Sequence, residues 1–303
     1  MRALVTGATG FIGSFAVREL LRDGCEVHAF VEHGQPLGRI DDLAAKITVH
    51  RGSLLDAAAV THAAAQAKPE VCLHLAWYAV PGKYLHAEEN VALVGASVDL
   101  ARAVAAAGCR RFVGAGTCIE YDTSLGLLSE ERTPIAPRTL YGVCKNALHG
   151  MLTELGPRLG LDVAWLRFFF LYGPTEAPGR LVSEVLGKLL RGEEAPVTPG
   201  EQVRDFMHVA DVARAVATVL RSKAVGPVNI GSGEPVTVRQ VVHAMGEATG
   251  RPELVRYGAL PSRPGDPAFI CADATRLRGL GFVPAFDLRS GLADTVRSLR
   301  EAS

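Results

Sequence analysis

A chain of 303 residues can bury a substantial core and has room for one large domain or two intimate ones. Hydrophobic residues make up 48% and charged residues 21%, and no apolar run approaches the ~20 residues that cross a bilayer, so a membrane-spanning protein is excluded. Lysine plus arginine equals aspartate plus glutamate at 32 each, so net charge gives no argument for nucleic acid or an acidic membrane surface, and an anionic ligand has to be held by local groups.

The first strand-like run, Arg2-Ala3-Leu4-Val5-Thr6, begins at the second residue, which leaves no room for a signal or transit peptide and predicts a cytoplasmic protein. It stops at Gly7-Ala8-Thr9-Gly10-Phe11-Ile12-Gly13, after which apolar residues recur at helical spacing through Leu21. Strand, glycine turn and helix in this order form a dinucleotide-binding pattern. The first two glycines let the backbone turn tightly and approach a pyrophosphate, the helix start offers free N–H groups, and Gly13 lets helix and strand pack. Glu26 to Val31 reads as a second strand, whose end faces the adenosine ribose. There Val31 is apolar, Glu32 is acidic, and His33 and Arg39 are potentially cationic, so NAD and NADP both stay open.

Ile47 to Arg51 and Val71 to Leu75 are further buried-strand candidates, with an alanine-rich helix after Asp56 between them. Asn90 to Ala107 reads as a long helix ended by Gly108, and Arg111 to Ala115 as the next strand, whose exit Gly116 to Tyr121 belongs at the carboxyl edge of the sheet. Alternation at this spacing predicts an α/β fold, a doubly wound parallel sheet with helices on both faces. After a polar loop, Ser129 to Pro137, a helix from Tyr141 to Leu155 puts Tyr141 and Lys145 one turn apart on one face. A nearby ammonium lowers the pKa of a phenol, which would fit Tyr141 for general acid and base work; the plain alternative is an amphipathic helix with a surface Tyr and Lys. Val163 to Phe169 reads as a sixth strand, followed by breaks at Tyr172-Gly173-Pro174 and Pro178-Gly179.

From Arg180 the alternation loosens. Arg180 to Arg191 is helical, Val197 to Gly200 a turn, a helix begins near Asp211, and Val228 to Ile230 is a short strand. Thr237 and Asp287 are placed to cap the last two helices. Six cysteines, at 25, 72, 109, 118, 144 and 271, show no Cys-x-x-Cys and no clustering with histidine, so they are expected to be reduced and mostly buried, with no metal site.

With the Gly7 turn and the Tyr141/Lys145 pair in place, the chain resembles the extended short-chain dehydrogenase/reductase family, in its nucleotide-sugar branch, from Arg2 to about Leu299. The branch has a Ser or Thr about two dozen residues before the tyrosine within Ser/Thr-x-x-Val-Tyr; Thr117-Cys118-Ile119-Glu120-Tyr121 fits, with Glu120 in place of the valine. The resemblance implies a Rossmann-type domain with a smaller, interleaved α/β substrate-binding domain, divided as 1–175 plus about 205–233 and about 176–204 plus 234–303. It implies that Thr117 hydrogen-bonds the reacting sugar oxygen, Tyr141 exchanges its proton, and Lys145 holds the nicotinamide ribose. Cofactor contacts, to NAD or NADP, are expected from Gly7, Thr9, Gly10, Phe11, Ile12, Glu32, Arg39, Ser53, Leu54, Leu75 and Ala76 besides Tyr141 and Lys145. Relatives dimerise through a four-helix bundle, which here would use Asn90–Ala107 and Tyr141–Leu155, so a homodimer is expected.

The second half carries Arg204-Asp205-Phe206 with Val209 and Asp211-Val212, and Arg263-Pro264-Gly265-Asp266, which are similar to segments whose arginines contact the substrate's nucleoside diphosphate in relatives. The planar fork of guanidinium suits phosphate; surface salt bridges are the alternative use. Arg180, Thr117 and Trp77 join the expected substrate contacts, although core packing would equally explain Trp77, and His74 reads as structural. Where the branch has an asparagine touching substrate, this chain has Phe170, and the adenine-side Gly-Asp is Gly52-Ser53.

Dehydratases of the branch have Thr-Asp-Glu at the fifth strand; Cys118 and Ile119 supply no such acid and base, and Glu120, one residue off, is expected to point away. The fucose-pathway epimerase/reductases have a cysteine two residues after the serine; Cys118 comes one residue after Thr117, a shift that turns it to the other face and into packing. What remains is redox at C4 of a nucleotide-linked sugar. Reduction of a 4-keto-6-deoxyhexose is the first expectation, 4-epimerisation of a UDP-hexose with bound NAD the alternative, and a non-catalytic nucleotide sensor on the same fold a third.

Overall fold

A computed structural model describes residues 1–301, so the last two residues of the expected second domain lie outside it. The first half alternates as the sequence pattern requires: β1 (Arg2–Thr6), α1 (Phe11–Arg22), β2 (Glu26–Val31), β3 (Thr48–Arg51), α2 (Ala57–Ala67), β4 (Val71–His74), α3 (Glu89–Ala106) and β5 (Arg111–Thr117). A short β6 (Leu127–Leu128) precedes α4 (Leu140–Leu159), β7 (Asp162–Phe168) and β8 (Phe170–Tyr172). Then follow α5 (Leu181–Arg191), β9 (Ala195–Val197), β10 (Val203–His208), α6 (Val209–Arg221), β11 (Gly226–Ile230), β12 (Pro235–Thr237) and α7 (Val238–Thr249). The chain ends with β13 (Val255–Tyr257), β14 (Phe269–Ala272), α8 (Thr275–Gly279) and α9 (Leu288–Glu301). Two expected features differ: Val197 ends a strand rather than opening a turn, because it pairs in parallel with Tyr257, and α4 runs four residues further, through Pro157.

Seven strands form one sheet in the order β11-β7-β5-β4-β1-β2-β3, with every neighbouring pair parallel. Its inner strands are buried on both faces, which is why Ala3-Leu4-Val5-Thr6 shows no polar alternation, whereas β3, expected to be buried, is the sheet's edge and stays exposed or half-buried throughout. On one face Val17 and Leu20 of α1 meet Val212, Val216 and Val219 of α6; on the other Val60, Leu100, Val104, Leu148 and Leu152 cover the sheet from α2, α3 and α4. The chain goes from β1 to one side through β2 and β3, then returns to build the other side from β4. That reversal opens a crevice beyond the carboxyl ends of β1 and β4.

A second sheet, β12-β10-β14-β6 with β8 paired to β10, stands beside this edge, and β9 with β13 makes a third, two-stranded one. Helices α5, α7 and α9 enclose a separate core of Val185, Leu186, Leu189, Val241, Met245, Leu292 and Val296. Asp205 ties the two sheets together: buried on β10, it accepts the amides of Ser232 and Gly233 after β11 and of Ala272 on β14, at 2.7, 2.9 and 3.1 Å. Asp287 accepts the Ser290 amide and Thr237 forms a reciprocal cap with Gln240, as their positions predict. The six cysteines are free and buried. No helix among the described residues is long and apolar enough to cross a membrane.

Candidate active site

The glycine turn sits at the carboxyl end of β1. Gly7 has φ +70°, and a Cβ there would lie 2.7 Å from the Ala76 nitrogen; a Cβ on Gly13 would lie 2.0 Å from the Gly7 carbonyl oxygen. Only glycine therefore permits this approach of β1, α1 and the exit of β4. α1 starts at Gly10 with no side-chain cap, which leaves its first N–H groups open to an anion. These features fit a dinucleotide pyrophosphate, and Gly7, Thr9, Gly10, Phe11 and Ile12 are the residues that would hold it.

The neighbouring strand end is fixed by a directional chain. The Ala76 amide donates to Thr6 Oγ1 at 3.2 Å, Thr6 Oγ1 pairs with His74 Nδ1 at 2.7 Å, His74 Nε2 pairs with Ser97 Oγ at 2.8 Å, and Ser97 donates to the Leu93 carbonyl. Because the Ser97 proton is spent on Leu93, His74 donates from Nε2 and accepts at Nδ1. Burial lowers its pKa to about 3, helped by the nearby Lys145 charge, so it is a neutral structural residue that sets Leu75 and Ala76 in place.

Farther along the edge, Glu32 is exposed after β2, while Gly52 donates to the Val31 carbonyl and brings half-buried Ser53 and buried Leu54 alongside. Arg39 turns back: it donates to the Thr9 carbonyl at 3.3 Å and twice to the Thr175 carbonyl, at 3.1 and 2.8 Å. Thr175 has φ +66°, a strained conformation for a β-branched residue, and the Arg39 fork holds it.

Thr117 ends β5. Its Oγ1 accepts the Ile119 amide at 3.4 Å and keeps its own proton for donation. Glu120 closes the same turn from inside: it accepts the Thr117 amide at 2.8 Å, Trp165 Nε1 at 3.0 and 3.1 Å, and Arg167 Nε at 2.8 Å, and it is fully buried. Cys118 packs against Leu128, Phe169 and Ile270, and burial pushes its thiol up to about 12. Neither group is an acid or base for a ligand in the crevice.

Tyr141 and Lys145 emerge from the first turns of α4, started by Thr139, whose Oγ1 accepts the Gly142 amide. Lys145 is 2% exposed; its ammonium donates to the Ala115 carbonyl at 2.7 Å and lies 3.6 Å from the centroid of the Trp77 indole and 5.8 Å from that of the Tyr141 ring. Burial brings its pKa down to about 7, with Glu120 opposing. The expected lowering of the Tyr141 pKa is reversed: burial, reinforced by Tyr84, Glu120 and Cys118, raises it, and the cation that opposes is Arg180. A desolvated phenolate is costlier than the distant ammonium can offset.

Three groups escaped the sequence reading. Tyr84 stands edge-on to Tyr141 with ring centroids 5.0 Å apart, carries Arg180 over its face at 5.3 Å, and lies in a loop without periodicity to mark it. Asn90 is fully buried and receives Trp77 Nε1 at 2.7 Å. Glu176 follows Tyr172-Gly173-Pro174; burial brings its carboxyl up to about 7, and it accepts the Ser183 amide.

Of the expected substrate residues, Trp77 and Arg180 lie beside the Tyr141 and Lys145 pair, and Thr117 ends the strand whose Ala115 carbonyl receives the Lys145 ammonium. Phe170 lies against Phe206 and under the Arg204 guanidinium, 5.4 Å from its centroid. Arg204 is buried and already committed, donating to Asp266 at 2.6 Å and to the Val203 and Pro267 carbonyls. Arg263 is exposed on the loop that carries Asp266.

Fold and site together define a dinucleotide-binding α/β protein with a phenol and an ammonium at the carboxyl edge of its sheet. The NAD dependent epimerase/dehydratase family model matches residues 3–231, and the chain belongs to that family of short-chain dehydrogenase/reductase-type enzymes. Over 97% of its length it is 32% identical to a dTDP-glucose 4,6-dehydratase of Streptomyces griseus, covering 92% of that protein. It is 26% identical, over 87% of its length and 96% of the relative, to a dTDP-6-deoxy-L-talose 4-dehydrogenase (NAD(+)) of Aggregatibacter actinomycetemcomitans. The structure of a UDP-glucose 4-epimerase of Thermus thermophilus in complex with NAD superposes with a TM-score of 0.85 at 29% identity, over the whole of both chains.

Proposed function

We propose that this enzyme carries out NAD-dependent redox at C4 of a nucleotide-linked sugar, without dehydration. The reading without dehydration is supported by Cys118 and Glu120, which both face the core and leave Thr117 without the adjoining acid and base that loss of water needs. In this reading Thr117 and Tyr141 donate to the C4 oxygen, Tyr141 passes its proton as hydride is exchanged with the nicotinamide, and Lys145 holds the cofactor. NAD is favoured by exposed Glu32 at the end of β2 and by Arg39, whose fork is occupied by carbonyls. The seven-stranded sheet carries the cofactor, and the second sheet with α5 and α7 carries the nucleotide sugar.

The direction we propose is reduction of a 4-keto-6-deoxyhexose. Phe170, with Phe206 beside it, offers an apolar surface suited to a less hydroxylated sugar, and the relative named for a 6-deoxytalose 4-dehydrogenase performs the reverse chemistry. The second reading, 4-epimerisation, is favoured by the full-length likeness to a UDP-glucose 4-epimerase. Purified protein given a nucleotide 4-keto-6-deoxysugar and NADH is expected to oxidise NADH. No oxidation, with interconversion of a UDP-hexose and its 4-epimer without added cofactor, would establish the second reading instead.

We also propose a homodimer through α3 and α4. These helices pack side by side and expose Val91, Val143 and Met151 at 57, 47 and 51%.

A further inference from the structure

We propose that Trp77 is a positioning residue for Lys145, its indole face holding the ammonium against the Ala115 carbonyl at the switch-point crevice. The ammonium lies 3.6 Å from the indole centroid, well inside cation–π range, and indole is the strongest aromatic partner for a cation. The ring is itself anchored. Its Nε1 donates to Asn90 Oδ1, and Asn90 Nδ2 donates to the Tyr84 and Ala87 carbonyls, each at 2.7 Å, so the indole is tied through Asn90 to the loop that carries Tyr84. Its edge also meets Tyr141, with centroids 6.5 Å apart. Trp77 therefore spans both members of the pair rather than only walling a sugar pocket.

The other groups around the ammonium do not replace it. Glu120, from the β5 exit, is spent on Arg167; His74 on β4 is neutral; Tyr141 on α4 keeps its proton; and the Trp165 ring on β7 is 6.0 Å away. The negative face of Trp77 opposes the burial that favours neutral lysine. An apolar side chain of similar bulk would remove that face and leave only Glu120 and the Ala115 carbonyl to oppose burial.

The inference rests on the role given to Lys145 above, and its test is read without turnover. The chain has six lysines, so 13Cε-lysine labelling gives few resonances, and Lys145→Met assigns the one of interest. In protein freed of nucleotide, the Lys145 midpoint near 7 is expected to fall by about one pH unit in Trp77→Leu, with Trp77→Phe in between. Affinity for NAD at pH 7, measured by calorimetry, is expected to fall in the same order. A midpoint that stays or rises in Trp77→Leu overturns the proposal; if that variant does not fold, an unchanged midpoint in Trp77→Phe does so. Normal turnover in Lys145→Met with the expected shifts would instead sink the catalytic role and leave the contact standing.

Discussion

Glu120 accepts the backbone amide of Thr117 at 2.8 Å while its other oxygen holds Arg167 at 2.8 Å, so a buried ion pair fixes the end of the strand that carries a proposed catalytic hydroxyl. Arg167 is 3% exposed and lies over the Tyr121 ring at 4.3 Å, whose hydroxyl in turn donates to Asn229 on β11. Two strands, β5 and β7, thus converge on one carboxylate, and β11 is reached through Tyr121. Removing its charge leaves a guanidinium without compensation in the core, a loss of about 3–5 kcal/mol. Glu120→Gln is expected to lower the unfolding free energy in urea by about 3 kcal/mol, and a loss below about 1 kcal/mol would mean that Arg167 finds water or another partner.

Tyr141 holds its proton firmly in the cofactor-free site, which suits a donor to a carbonyl oxygen more than a standing base. Tyr141→Phe keeps the ring that packs between Trp77 and Tyr84 and deletes the proton. Turnover is expected to fall about 10²–10⁴-fold with affinity for NAD unchanged by calorimetry. Near-normal turnover would remove Tyr141 from the reaction.

The parallel sheet was legible in the sequence because its inner strands are buried on both faces and read as apolar runs ended by glycine or a polar turn, while the edge strand β3 is part-exposed. The Gly7 turn and the Tyr141/Lys145 spacing were legible because backbone approach and helical pitch leave few residue types at those positions. What the sequence could not show was how burial and charge are balanced. The phenol rises where proximity to lysine alone predicts a fall, because the rings of Trp77 and Tyr84 and the surrounding core exclude water. Nor could the sequence show that Asp266, 62 residues away, pairs with the Arg204 guanidinium at 2.6 Å. Tyr84 had no periodicity to mark it, since its role comes from a loop folding back onto α4, where the Leu85 carbonyl accepts the Tyr141 amide, and Asn90, in the first turn of α3, carried no pattern that shows its bond to Trp77.

His74 gives the protein an acid-sensitive joint at the cofactor crevice. Its folded pKa, about 3, lies below the ordinary value of 6.5, so between those values the unfolded chain binds a proton that the native state refuses. Stability therefore falls as pH drops through this window, and the contribution at pH 5 is about 2 kcal/mol relative to pH 7. His74→Gln has no such proton to take up. Urea titrations at pH 7 and pH 5 are expected to show a loss on acidification about 2 kcal/mol smaller in the variant; equal losses would place the acid sensitivity elsewhere.

The outer surface of α4 presents Val143 and Met151 along one side, with Ala147 and Gly150 between them, and α3 adds Val91 beside it. Among the described residues no other element covers these apolar groups, and small residues between them allow two helix pairs to approach closely. Two copies joined here would form a four-helix bundle and tie α4, with Tyr141 and Lys145 in its first turns, to its counterpart. The protein is expected to sediment at twice its 32.1 kDa chain mass. Met151→Glu places a charge in the middle of the apolar stripe, where its desolvation has no partner, and is expected to weaken association at least about tenfold while the melting of the separated chain stays cooperative. Wild-type protein that sediments as a monomer at micromolar concentration, or a Met151→Glu dimer of undiminished strength, would move the interface away from these helices.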